Sequence, residues 1–212
     1  MPASTSPASG RRAQAARNDA TILAAARRVF VSQPDAPVAA VAREAGVGIS
    51  ALYRRYPSKE DLLQTLCREG LREFIRIAQA AAGIVDPWDG FATFLHGVID
   101  ADVHSLTVHL AGTFAPAADL AALADEASAL GAGLLEAAVS AGAVRADLRV
   151  NDLAMLFEQL SAIQLGTPGR TQDLRRRYLQ LQLDALRPAA ATVQLPGEPP
   201  SSAELGERWH PG

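Results

Sequence analysis

The chain has 212 residues, 49% of them apolar, enough for one large domain or a small domain fused to a larger one, which excludes a disordered protein. No run approaches about 18 apolar residues without a charge or a proline, and no continuous apolar stretch follows Arg11 and Arg12; this excludes a membrane span and a signal peptide and predicts a cytoplasmic protein. The net charge of −3 conceals a split: residues 1–60 carry nine Arg and Lys against four Asp and Glu, the remainder eleven against nineteen, so only the N-terminal part suits a polyanion.

The two ends, 1–16 and 188–212, are rich in Pro, Ser, Gly and Ala without a sustained period, which predicts disordered tails. Between them β-branched alternation is scarce and Ala, Leu, Arg and Glu recur at helical spacing, so the predicted fold class is all-α. A first helix over 17–32 puts Ile22, Ala25, Ala26, Val29 and Phe30 on one face and ends at Gln33-Pro34-Asp35. Short helices follow over 38–45 and 49–56. Pro57 turns its predecessor away from helix, and Ser58 with Asp61 forms a capping-box pattern that opens a fourth helix of more than 20 residues, striped by Leu63, Cys67, Gly70, Phe74, Ala78 and Ala81. Cys67 is the one cysteine, so no intrachain disulfide can form. Asp86-Pro87 reads as an N-cap and first-turn proline for a fifth helix over 87–103. Helices over 105–112, 117–141, 151–166 and 171–187 bring the number to nine.

Residues 42–63, AREAGVGISALYRRYPSKEDLL, carry the chemistry. At 100° per residue Leu52 and Tyr56 share an inward face of the third helix, while Ser50 and Arg54 point away. Ile49 and Tyr53 flank the outward face on one side, Ala51 and Arg55 on the other. Two short helices joined by a tight glycine-containing turn form a helix-turn-helix, whose second helix fits the major groove of DNA, about 12 Å wide. Gly46 permits a positive φ in that turn, Val47 fills the gap between the helices, and Ala42 allows close approach. A solvated arginine-rich face would account for Arg54 and Arg55 alone, but not for the whole pattern.

Through this stretch and the preceding ILAAARRVF, residues 17–66 resemble the TetR (tetracycline repressor) family of bacterial transcriptional regulators. The glycines, the Leu-Tyr pair and the aromatic-Pro-Ser-Lys-Glu corner occur in register. The resemblance implies a three-helix DNA-binding domain over 17–57 and a larger helical domain for ligand binding and dimerisation over 58–187. It implies a homodimeric repressor released from a palindromic operator by a small-molecule effector. Tyr53 and Lys59 would contact phosphates, and the third helix, through Ile49, Ser50, Ala51, Arg54 and Arg55, would read bases. Lys59 is the only lysine and stands beside a helix N-terminus, which favours anions. Where members often carry hydroxyl side chains, this chain has Ala36, Pro37 and Ala51, though Ala51 can still meet a thymine methyl.

The ninth helix has two apolar seams, Leu174, Tyr178, Leu181 and Ala185 on one and Leu179, Leu183 and Leu186 on another, roughly 140° away. One seam faces its own domain and the other a partner. With the eighth helix it suits a four-helix interface between two copies, which the resemblance also implies. The expected interface is Phe157, Leu160, Leu179, Leu183 and Leu186, with the other seam as the alternative.

The fifth helix aligns Trp88, Phe91, Leu95, Val98, Ile99 and Asp102, and aromatic walls with a polar group describe a ligand cavity. The expected pocket is Cys67, Phe74, Trp88, Phe91, Leu95 and Asp102; a core stripe whose Asp102 reaches solvent is the alternative. His96, His104 and His109, spaced by 8 and 5, do not share a helical turn, so neither metal nor cofactor is expected. No Ser, His and Asp set has a recognisable signature, so no enzyme is expected. The expected partners are double-stranded operator DNA, an unidentified small-molecule effector and a second copy. A regulator of this fold governed by a protein partner or by nothing is the runner-up, followed by a helical ligand-binding protein or enzyme with a vestigial DNA module.

Overall fold

The computed structural model describes residues 7–110, 113–114 and 116–208. These form α1 (Pro7–Ser32), α2 (Val38–Ala45), α3 (Ile49–Arg55), α4 (Lys59–Ala82), α5 (Pro87–Asp100), α6 (Val103–Leu110), α7 (Ala118–Ser140), α8 (Val150–Ser161), α9 (Pro168–Leu186) and α10 (Ser202–Glu207), with a 3-10 turn at Pro188–Ala190. No helix among the described residues is long and apolar enough to cross a membrane. The chain divides into two compact units, Met1–Leu66 and Cys67–Gly212, so the division falls inside α4.

In the first unit α1 packs mainly on α2, and Ile22, Ala25, Ala26, Phe30, Val38, Val41 and Ala42 are buried. Gly46 ends α2 in the left-handed region, φ 66°, and its N–H donates to the carbonyls of Ala42 and Arg43. That closes the last turn of α2 in a conformation that costs glycine little. After Gly48, α3 buries Leu52 and ends where Tyr56 turns extended before Pro57. The Ser58 hydroxyl then caps α4, accepting from the Asp61 N–H at 3.0 Å.

In the second unit one apolar cluster joins Phe91, Phe94, Leu95 and Val98 of α5 with Leu134 and Leu135 of α7, Leu153, Phe157 and Leu160 of α8, and Leu179, Leu183 and Leu186 of α9. Ile77, Ala78 and Ala81 of α4 complete it. A Cβ on Gly97 would lie 2.6 Å from Ile77 Cγ2, so only glycine lets α5 close on α4 there. Phe74, Phe94 and Phe157 meet edge to face, with centroids 5.2, 6.4 and 6.0 Å apart.

Several boundaries differ from those predicted. α1 starts at Pro7, not at residue 17, because the Ala, Arg and Gln of 11–17 are good helix formers and proline is tolerated in a first turn. α5 stops at Asp100, short of 103, and Asp102 takes a positive φ of 51°. α8 stops at Ser161, short of 166. Arg175 of α9 governs both ends: its guanidinium donates to the carbonyls of Ser161 (2.9 Å) and Ile163 (3.1 Å) and pairs with Asp102 at 2.5 Å. The carbonyls freed at the end of α8 thus find a cationic partner. α9 starts early, at Pro168, capped by Thr167.

The C-terminal segment expected to be disordered is described to residue 208. Residues 188–208 form a strap that returns to the body of the second unit. Arg145 Nη2 donates to the Val193 carbonyl, the Leu195 N–H to Asp147, Asn151 to the Pro200 carbonyl, and Arg208 pairs with Glu158. Ser201 and Glu204 cap α10 reciprocally. The strap is fastened by polar groups, which leave no apolar period in the sequence. The ends of the expected tails, 1–6 and 209–212, and residue 112, the expected end of the sixth helix, lie outside the described residues.

Candidate nucleic-acid interface

The register of α3 follows from its anchors. Leu52 is fully buried and Tyr56 nearly so, which turns Ile49, Ser50, Tyr53 and Arg54 outward as one exposed face, Tyr53 at 47%. Ala51 is half-buried at its edge. Among the described residues no ion pair engages Arg54.

The neighbouring arginine is committed differently. Arg55 grips Asp19 of α1 with two bonds, Nε to Oδ1 at 2.7 Å and Nη2 to Oδ2 at 2.5 Å. The Tyr56 hydroxyl donates to the same carboxylate at 2.7 Å. The bond from Arg55 lowers the Asp19 pKa; burial opposes it and Tyr56 assists. Lys59 is half-buried, its ammonium donating to the Pro34 carbonyl at 3.0 Å and lying 5.2 Å from the Phe30 ring centre. An ammonium has three donors, so the bond to Pro34 leaves others for a phosphate. On the same unit Arg43 is exposed and Arg28 pairs with Glu44 at 2.9 Å. Ala36 is buried and Pro37 exposed at the start of α2.

The model of bacterial regulatory proteins of the tetR family matches residues 22–66, and that of the C-terminal domain of SbtR-like transcriptional regulators matches residues 86–188. The chain belongs to the TetR family. It is therefore of a family of DNA-binding transcription regulators, and the exposed face of α3 is the second helix of its helix-turn-helix. Among solved TetR-family structures, the regulator SCO0520 from Streptomyces coelicolor is 28% identical, covering 82% of this chain and 99% of its own, with a TM-score of 0.55. The TetR protein of Mycobacterium vanbaalenii is 26% identical over 83% of this chain and 98% of its own, TM-score 0.56. LfrR from Mycobacterium smegmatis, solved with proflavine, shares the fold at 21% identity over 85% and 99%, TM-score 0.61. No match is found among curated proteins.

In the second unit of this TetR-family chain, the expected pocket residues occupy different settings. Phe91 and Leu95 lie inside the core, Phe74 and Trp88 pack against it, and Cys67 is half-buried. The Arg187 guanidinium stacks on Trp88, 3.3 Å from its ring centre. Asp102 is not on the α5 stripe; it sits at the α5–α6 corner, held by Arg175 and by the Ser105 hydroxyl. His104, beside the Phe157 ring at 5.4 Å, has its pKa pushed down to about 4 by burial, so its imidazole is neutral near pH 7. A polar cleft of about 230 Å³ lies between the strap and the 147–152 segment, lined by Asp147, Arg149, Asp152 and Glu198 among others; no sequence signal marked it.

The expected interface residues lie in the core of the second unit. Phe157, Leu160, Leu179, Leu183 and Leu186 are all buried inside their own protomer. Of the other seam, Leu174 is buried, while Tyr178 is 45% and Leu181 56% exposed, beside the exposed Ala185.

Proposed function

We propose that this chain is a homodimeric repressor that binds a palindromic operator through α3 and leaves it when a small, mostly apolar effector binds the second unit. The observation that carries this reading is the exposed face of Ser50, Tyr53 and Arg54, held in register from behind by Leu52 and Tyr56. Arg54 suits bidentate reading of guanine, Ser50 reading of either base type, and Tyr53 and Lys59 phosphate contacts. The seam of Tyr178, Leu181 and Ala185 supports pairing of two α9 helices across a two-fold axis. Work on operator DNA would place the protein in the cytoplasm.

The effector is proposed to bind at Cys67, Phe74, Trp88, Phe91 and Leu95 by parting the packed aromatic cluster around Phe94 and Phe157, whose buried members offer no free surface while it stays closed. That LfrR has been solved with proflavine supports the reading at the level of fold. α4 is one unbroken helix carrying Lys59 in its first turn and Phe74 further along, so a tilt at Phe74 moves the helix start. Release by about 100-fold needs about 2.7 kcal/mol of coupling, which DNA must impose equally on effector binding.

The test is selection from random double-stranded DNA by the purified protein, followed by titration of any enriched sequence between about 50 and 200 mM salt. A palindromic sequence bound with a steep negative salt dependence is expected. No enriched sequence, or affinity indifferent to salt, would overturn the reading.

A further inference from the structure

Arg54 and Arg55 are adjacent in sequence and alike in chemistry, yet only Arg54 is unpaired among the described residues. Asp19 lies 36 residues before Arg55, on a different helix, and accepts both prongs of its guanidinium. It also accepts the hydroxyl of Tyr56, the residue that ends α3 and is almost wholly buried. Three charge-assisted bonds from two consecutive residues therefore converge on one carboxylate where α3 stops. Such bonds are roughly twice as strong as neutral ones, and the fork fixes orientation as well as distance. Arg55 keeps Nη1 and one Nη2 hydrogen free, but the Asp19 carboxylate already neutralises its charge, so a DNA phosphate approaching there meets a pair with no net charge.

We propose that Asp19 is a positioning residue for DNA reading: it fixes the end of α3 through Arg55 and Tyr56, and by neutralising Arg55 it weakens that arginine as a phosphate contact. The proposal rests on the DNA-binding reading above and goes beyond it by dividing the two arginines: Arg54 faces DNA, while Arg55 sets the angle at which Arg54 does so. Asp19 also keeps the protein from spending a cation on any duplex regardless of sequence.

Each phosphate neutralised adds about 0.9 to the slope of log K against log salt, so the two roles separate in a salt titration. Full-length protein and its Arg55→Gln, Arg55→Lys and Asp19→Asn variants would be titrated by fluorescence anisotropy against the selected operator and against random duplex. Arg55→Gln should leave the slope unchanged while lowering the ratio of operator to random affinity about tenfold, with partial recovery in Arg55→Lys, which keeps one bond to Asp19. Asp19→Asn should lower the ratio too, but should raise affinity for random duplex and steepen the slope by about 1 per protomer, because Arg55 is released. If Arg55→Gln loses its helical circular-dichroism signal, Asp19→Asn alone decides. A slope that falls by about 1 per protomer in Arg55→Gln makes Arg55 a phosphate contact and overturns the proposal, as does an unchanged ratio in both Arg55→Gln and Asp19→Asn. A wild-type protein with no sequence preference overturns the DNA reading and this proposal together; an operator-selecting wild type with indifferent variants overturns this proposal alone.

Discussion

Leu181 and Leu183 lie two residues apart on α9 and face opposite ways, Leu181 56% exposed and Leu183 2%. Arginine at each position should therefore fail differently. At 183 the guanidinium enters the cluster of Phe91, Leu134 and Phe157, where an unpaired charge costs about 3–5 kcal/mol, so Leu183→Arg should unfold at markedly lower urea. At 181 the protomer covers less than half of the side chain, and full burial of a leucine is worth about 1.5–3 kcal/mol, so the isolated protomer should lose no more than about 1 kcal/mol. In the proposed dimer, however, a two-fold axis puts two such charges into one interface, and a cost of about 3 kcal/mol there raises the dimer Kd by more than about 100-fold. Sedimentation at micromolar protein, paired with urea unfolding, reads both quantities. Leu181→Arg should sediment as a folded monomer with weakened operator binding, since the second half-site is lost. A folded monomer from Leu183→Arg beside an intact Leu181→Arg dimer would refute the assignment of the seams.

Arg175→Ala should destabilise the second unit by about 3 kcal/mol, because Asp102 loses its ion pair and the carbonyls of Ser161 and Ile163 lose their donors; urea unfolding measures it, and a loss below about 1 kcal/mol would show that water replaces the guanidinium. Arg54→Ala should cost about 1–3 kcal/mol per half-site and relax sequence choice, whereas Lys59→Ala should weaken all DNA alike. Lys59→Ala should also lower the melting temperature, since the ammonium supports the Pro34 carbonyl and Phe30; equal relaxation of specificity in both variants would contradict the roles given to them. Asp19 titrates below its ordinary 3.8, so its contribution to stability is complete above that pH and is lost as pH falls through the lowered value; Asp19→Asn should remove this part of the acid slope in a pH series of urea midpoints.

Where the deciding signal is local, the sequence was enough. Gly46, Pro57 and Ser58 mark the ends of α2, α3 and α4 within a few residues, and the 100° step per residue turned Leu52 and Tyr56 inward and Ser50 and Arg54 outward. Where the signal is a distant side chain, it was not. The end of α5 depends on Arg175, 73 residues beyond Asp102, and the state of Arg55 on Asp19 in another helix. On α9 both seams are leucine-rich, and periodicity shows that there are two faces without showing which one the protomer needs for itself. Two further caps have local signals, Thr167 before Pro168 and Ser201 with Glu204, the second inside a segment whose prolines and serines predict disorder.

The strap beyond residue 188 buries no side chain, and its fastenings at Arg145, Asp147, Asn151 and Glu158 are all polar. Heat capacity and denaturant sensitivity both track the area uncovered on unfolding, so lifting the strap is nearly silent in a calorimeter and in a urea titration. A protease is sensitive to something else, the fraction of time a peptide bond spends detached, and that fraction follows the local opening energy rather than the stability of the core. Digestion should therefore nick the chain in the 190s long before the helices are touched, and the trimmed protein should melt almost as the intact one does.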